Sequence, residues 1–272
     1  MKVSRLEISA NYLILIVFAL VILGPLGLIL SLAVGPQSAS VGREGRVFHW
    51  ENFADAWEIG RFGQYMLTSV TVALIVVVVS VVASILAGYA LGTMRFRGAT
   101  FFFYLFLLGI MVPTEAFIVP LFFDLRMVGL TNTVLGVALP QIAMSIAFGT
   151  YWMRTYFRTS SLAMIEAARL DGAGSWRILW QILVPIGRPA IVTLVLLTFM
   201  WTWNEFLIPL VMSPNGSVRT APLGLAFFQG QYTQGTALLA AGAVMVALPV
   251  VVLYVFLQRH FIKGMLEGAV RE

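Results

Sequence analysis

The chain has no cysteine, only two histidines and few charges: Asp, Glu, Lys and Arg make up 11% of its 272 residues. Without thiols there is no disulfide, thiolate metal site or cysteine nucleophile. His49 and His260 fall on opposite sides of the expected topology, so they cannot share a metal, and no metal ligand is assigned. No Gly-x-x-x-x-Gly-Lys-Ser/Thr run is present, so any ATP must be bound by another chain. No Ser, His and Asp gather at a shared depth, which argues against an intramembrane hydrolase, and no catalytic residue is assigned. What the chain has in abundance is apolar surface. It is 60% hydrophobic, against roughly 45–50% in soluble domains. A core of this size cannot hide that excess from water, so the chain reads as an all-α membrane protein.

Six runs are long and apolar enough to cross a bilayer, near Tyr12–Val34, Gln64–Met94, Thr100–Phe123, Thr133–Met153, Pro189–Val211 and Thr236–Leu257. None alternates polar with apolar residues, which excludes a membrane barrel. The uncharged stretch from Ile8 to Gly42 exceeds a signal-peptide core, so a retained first helix is expected. With both termini cytoplasmic, twelve of the 17 Lys and Arg lie inside, including Arg95, Arg154, Arg158, Arg169, Arg177 and Arg188. Only Arg43, Arg46, Arg61, Arg126 and Arg219 lie outside. This positive-inside bias sets the orientation, and it accounts for the net charge of +5 without nucleic acid. The first external loop, about 35–62, holds Phe53, Ala54, Ala56 and Trp57, a short amphipathic helix for the interface. The third opens with the turn Ser213-Pro-Asn-Gly216. No internal repeat supports an inverted-repeat carrier.

The longest internal loop, 157–188, is the most informative segment. Ser160 or Ser161 is placed to cap a helix through Glu166-Ala167-Ala168-Arg169. Asp171-Gly172 breaks it. A second helix begins near Ser175, with Ile178, Leu179, Ile182 and Leu183 on one face, and Pro185 and Pro189 end it. The product is a knob with an apolar underside and a small-residue tip at Ala167, Ala168, Gly172, Ala173 and Gly174. On pattern alone it either docks a partner or merely covers helix ends.

The run Glu166-Ala167-Ala168-x-x-Asp171-Gly172-Ala173, then Ile182-x-x-Pro185-x-x-x-Pro189, resembles the EAA motif of binding-protein-dependent ABC permeases. Leu179 and Val184 depart from the usual residues but stay apolar. Met111-Val-Pro-Thr-Glu-Ala-Phe-Ile-Val-Pro-Leu, Gly129-Leu-Thr-Asn-Thr, Trp203-Asn-Glu-Phe-Leu-Ile-Pro-Leu and the tail from Gln258 are similar to the second, MalG-like permease of carbohydrate importers. The resemblance implies the type I ABC importer permease fold as one transmembrane domain over 1–272. It also implies that Glu166, Ala167, Ala168, Asp171, Gly172 and Ala173 dock an ATPase. The implied partners are a second homologous permease, two ATPase subunits that bind ATP and Mg, and an extracytoplasmic binding protein, in a prokaryotic cytoplasmic (inner) membrane. The implied cargo is a sugar or oligosaccharide. A glycerophosphate-type solute, or an ion-coupled secondary transporter, is the alternative.

Two acidic residues fall inside spans. Glu115 and Glu205 sit roughly sixteen residues into their runs, about 24 Å into a core about 30 Å thick. Carboxylates at such depth need a partner or a wet cavity. With Trp201 and Asn204 they make a candidate sugar-lined pathway. The competing reading is that they meet interfacial water or a partner subunit.

Overall fold

The computed structural model describes residues 5–36, 48–159, 162–231 and 236–269. Expectations placed on Lys2, Arg43, Arg46, the Ser160 or Ser161 cap, Arg271 and the side chains from Arg259 onward lie outside what is described. All regular structure among these residues is helical: α1 (Arg5–Ala33), α2 (Glu51–Ile59), α3 (Phe62–Thr93), α4 (Ala99–Met111), α5 (Thr114–Met127), α6 (Val134–Thr159), α7 (Leu162–Leu170), α8 (Ser175–Arg177), α9 (Val184–Ile186), α10 (Arg188–Asn204), α11 (Leu207–Met212), α12 (Ala221–Gln231) and α13 (Thr236–Ala269). A π-helical turn, Ile178–Leu183, joins α8 to α9.

Four helices are long and apolar enough to cross a membrane whole: Glu7–Ala33, Phe62–Thr93, Val134–Thr159 and Thr236–Gln258. The other two expected spans are corrected by the structure. The run Thr100–Phe123 is not one helix but α4 and α5, bent by 99°. Proline is the cause. Pro113 offers no amide to the ladder, and its ring forces Val112 into an extended conformation (ψ 120°). The run Pro189–Val211 likewise divides, with α10 ending at Asn204 and α11 beginning at Leu207. That break falls one turn before Pro209, where the missing N–H and the ring clash act. Pro209 itself lies inside α11, and Pro120 lies inside α5 without interrupting it. Pro185 does not end the loop helix either. The helix runs from Ser175 to Ile186 and bends by 79° into α10, with the break at Gly187. The π turn just before Pro185 inserts an extra residue into the ladder where a donor is lost.

The chain forms two compact units, Met1–Gln64 with Gly224–Leu248, and Tyr65–Leu223 with Pro249–Glu272. In the first, α1 is apolar and exposed along its length. Its end is tied down by buried Asn52 of α2, whose Nδ2 donates to the Ala33 and Gly35 carbonyls at 3.0 and 2.8 Å. This satisfies carbonyls that a helix end leaves open. The short helix expected in the first external loop is α2, and Asn52 and Ala56 form its buried side.

In the second unit α3 and α6 cross closely. A Cβ built on Gly88 would lie 2.6 Å from Met153 Cβ and 2.8 Å from the Arg154 amide nitrogen. One on Gly149 would overlap Ser84. Small residues let spanning helices approach where lipid supplies no hydrophobic drive. The crossing positions two clusters. One joins Val72 and Val76 to Val137, Ile142 and Ile208; the other surrounds Tyr89, Met153 and Phe157.

Candidate coupling surface and translocation cavity

The loop knob is built from its cap outward. Helix α7 ends in a left-handed glycine, Gly172, at φ +78°. The Gly172 amide donates to Arg169 O at 3.0 Å and the Ala173 amide to Ala168 O at 2.9 Å. Together these are the paired bonds of a Schellman cap, which satisfies carbonyls at the helix end. Its apolar contact is present too, since Ala168 is buried and Ala173 packs on the same cluster. Three of the six motif residues, Ala168, Gly172 and Ala173, therefore have a local structural reason.

The other three, Glu166, Ala167 and Asp171, are exposed. So are two large apolar side chains that sequence reasoning passed over: Leu170 is 90% exposed and Trp176 68%. They flank the tip, and a large apolar residue amid alanines and glycines was the available signal. A Cβ on Gly172 or Gly174 would meet nothing within 4 Å. The smallness of Gly172 and Gly174 serves no packing need among the described residues.

Beneath the tip, Ile165, Ile178, Leu179 and Leu183 are buried in one cluster with Val81, Ile85 and Tyr89 of α3, Met153 and Phe157 of α6 and Leu194 of α10. Tyr89 meets Phe157 edge-on at 5.9 Å. The described side chains of the knob share their hydrophobic core with the spans. Cores are close-packed and transmit displacement rather than absorbing it.

The second feature is a cavity of about 490 Å³ between α4, α6, α10 and α11. Helix α6 contributes Gln141, Met144, Ser145 and Phe148; α10 contributes Leu197, Met200, Trp201 and Asn204, with Thr202 beside them. Each set follows i, i+3, i+4, i+7, one helical face. Trp201 meets Phe148 edge-on at 4.8 Å, and Phe148 stacks on Trp152 at 6.2 Å. Glu205, half-buried in the break after α10, closes the wall; its Oε1 accepts the Ile208 amide at 3.0 Å.

Of the four expected pathway residues, Trp201, Asn204 and Glu205 meet in this cavity. Glu115 does not line it; it is exposed in the first turn of α5, beyond the bend at Pro113. Gln141 and Ser145 were missed. Their signal was two polar residues one turn apart in an apolar span. Among the described residues no three His, Asp or Glu side chains gather to hold a metal.

The chain has relatives among known proteins. Residues 80–267 match the model of the family described as binding-protein-dependent transport system inner membrane component. The chain belongs to that family. It is the membrane permease component of an ABC importer, a transport subunit whose ATPase is a separate chain, and not an enzyme. It is 34% identical over 224 residues to the probable ABC transporter permease protein YurM of Bacillus subtilis, covering 82% of this chain and 74% of that protein. It is 35% identical over 214 residues to the arabinooligosaccharides transport system permease protein AraQ of Halalkalibacterium halodurans, covering 79% and 76%. It is also similar to a chain in the crystal structure of a bacterial ABC transporter involved in the import of the acidic polysaccharide alginate. There the TM-score is 0.79 at 25% identity, covering 96% of this chain and 99% of that one. The architecture is the type I importer permease fold, in a multi-pass inner-membrane protein.

Proposed function

We propose that this permease forms half of the translocation pathway of a carbohydrate importer. It pairs with a second, homologous permease, with both termini cytoplasmic. The knob within 157–188 seats one of two ATPase subunits, which bind ATP and Mg, and an extracytoplasmic binding protein delivers the sugar. The observation that carries this reading is the shared core of knob and spans. Glu166, Ala167, Asp171 and Gly172 form a small, exposed tip above buried Ala168 and half-buried Ala173, and Ile165, Ile178, Leu179 and Leu183 root it in α3, α6 and α10. When ATP closes the ATPases, the knob moves as a rigid body and the spans re-orient. Trp201, Asn204 and Glu205 line the path of the sugar, with Glu115 outside their cavity. An ion-coupled carrier needs no such knob and is not favoured.

The test is reconstitution of all subunits in proteoliposomes with ATP supplied on the ATPase side. Uptake is measured for arabino-oligosaccharides, other neutral di- and trisaccharides, acidic uronate oligomers and sn-glycerol-3-phosphate. ATP-dependent uptake of a sugar is expected. Uptake of the glycerophosphate alone, or uptake that persists without ATP, refutes the reading.

A further inference from the structure

The cavity presents an uneven set of polar groups. Gln141 is 5% exposed; its Nε2 donates to Val137 O at 2.9 Å, and its Oε1 is buried without a hydrogen-bond partner. Asn204 Nδ2 donates to Met200 O at 2.8 Å. Glu205 is a carboxylate with one oxygen on the Ile208 amide. Both amide nitrogens are thus held by the backbone of their own helices. Each amide keeps a second N–H and Ser145 and Thr202 add hydroxyls, so donors are present too; the acceptors left to meet a ligand are two amide carbonyl oxygens and the rest of a carboxylate. A buried acceptor without a donor is costly, so the Gln141 oxygen is a position that a ligand hydroxyl or water would satisfy. Among the described residues no Arg, Lys or His lines the wall. Apart from Ser145 and Thr202 the remaining surface is apolar and aromatic, led by Trp201 and Phe148.

The matching ligand is a neutral ring rich in hydroxyl donors, with an apolar face for the indole. An anionic solute would approach Glu205 with no counter-charge in the wall, where like charges repel more strongly than in bulk water. The similar solved transporter imports an acidic polysaccharide, so the fold leaves the charge of the cargo open and the side chains decide it. We propose that this cavity is a subsite for one ring of a neutral carbohydrate. Gln141 and Glu205 accept its hydroxyls, Trp201 carries its apolar face, and the carboxylate turns acidic sugars away. The proposal rests on the carbohydrate reading above and adds to it a binding contribution from this chain and a charge preference.

The absence of cysteine makes the test direct, because one introduced thiol is the only one in this subunit. Ser145→Cys and Val112→Cys, both cavity-lining positions, are made separately in the full importer in nanodiscs. Each is reacted with a cationic (aminoethyl) and an anionic (sulfonatoethyl) methanethiosulfonate. Rates are read from residual thiol on this subunit's gel band and divided by those of free cysteine. The cationic reagent should be favoured at least about fivefold, and adding Glu205→Gln should remove most of that preference. Equal rates, a ratio unmoved by Glu205→Gln, or thiols closed to both reagents would overturn the subsite. In the uptake assay Gln141→Leu should cut sugar uptake at least about tenfold, while ATPase activity stimulated by the binding protein persists. Unchanged uptake would overturn the Gln141 assignment; if that variant fails to assemble, the thiol ratios decide alone. Uptake of an acidic sugar in preference to neutral ones would end this proposal yet leave the carbohydrate reading standing. Transport of the glycerophosphate alone would end both.

Discussion

Glu205 accepts a hydrogen bond from the Ile208 amide at 3.0 Å, bridging the break that Pro209 imposes between α10 and α11. One carboxylate thus caps the start of a short helix and faces a cavity. Glu205→Ala leaves the Ile208 amide without its acceptor, a loss of about 1 kcal/mol. The subunits should still assemble, as read by co-purification, while uptake falls at least about tenfold. Loss of assembly would assign Glu205 a structural role instead.

Gly172 separates backbone need from surface need. At φ +78° a residue with a Cβ is strained by about 1–2 kcal/mol, but asparagine tolerates this region better than most. No atom of the described residues lies within 4 Å of a Cβ placed there. Gly172→Asn and Gly172→Leu should both insert normally. The leucine variant should lose ATPase in pull-downs and the asparagine variant should lose less. Full ATPase retention by Gly172→Leu would count against docking at the tip.

Leu170, 90% exposed, makes little packing within the subunit. Leu170→Asp should leave the thermal midpoint of the isolated permease within about a degree or two, since exposed substitutions change stability by about 0.5 kcal/mol or less. The same change should weaken ATPase binding by about 2 kcal/mol if the side chain anchors that interface. A titration of purified ATPase against the two permeases distinguishes these effects; equal affinities would remove Leu170 from the contact.

The α3–α6 crossing is predicted to be intolerant. Gly88→Val pushes a side chain into Met153 and the Arg154 backbone, an overpacking cost of about 1–3 kcal/mol. Its melting temperature in detergent should fall clearly, while Gly174→Ala, which meets no neighbour, should match the parent. An unaltered midpoint for Gly88→Val would contradict the close crossing.

Asn132 ties two turns together. Its amide donates to Met212 O at 2.8 Å, its Oδ1 accepts the Asn215 amide at 3.2 Å, and its carbonyl accepts Ser217 Oγ at 3.0 Å. It also sits at φ +61°. Asn132→Ala loses the side-chain bond and strains the backbone, about 1–3 kcal/mol together. Asn132→Gly should recover the part due to strain. Protease sensitivity near Asn215 reads this out, and no difference between the variants would dismiss the strain.

Several of these features are legible in the order of residues. Gly129-Leu-Thr-Asn-Thr133 marks a connection between spans, and its residues divide into a cap for α5, the Asn132 tie and Thr133 Oγ1 accepting the Gly136 amide at the start of α6. The Ser213–Gly216 turn closes through the Gly216 amide to Ser213 O at 2.9 Å. Helix α12 lies inside a stretch that reads as loop, because 11 residues are too few to register as a span. Hydropathy marks the third and fifth spans but is blind to direction; Pro113, Pro120 and Pro209 are the sequence's marks of interruption, and the helix breaks near Pro113 and Pro209 but not at Pro120. Pro113 and Pro209 are visible in the sequence, but the size of a bend depends on what packs around it.

Local chemistry written along the chain set the helical class, the apolar spans, the Gly172 turn and the apolar underside of the loop, since each depends on residues within a few turns of one another. The tertiary structure alone decided which distant faces meet. It brought the Gln141 face of α6 opposite the Trp201 face of α10 and left Glu115 out of that cavity. It also rooted the knob in the same core as α3, α6 and α10. Those outcomes rest on glycine-permitted helix approach and on bends at proline, where the packing of many side chains selects one arrangement.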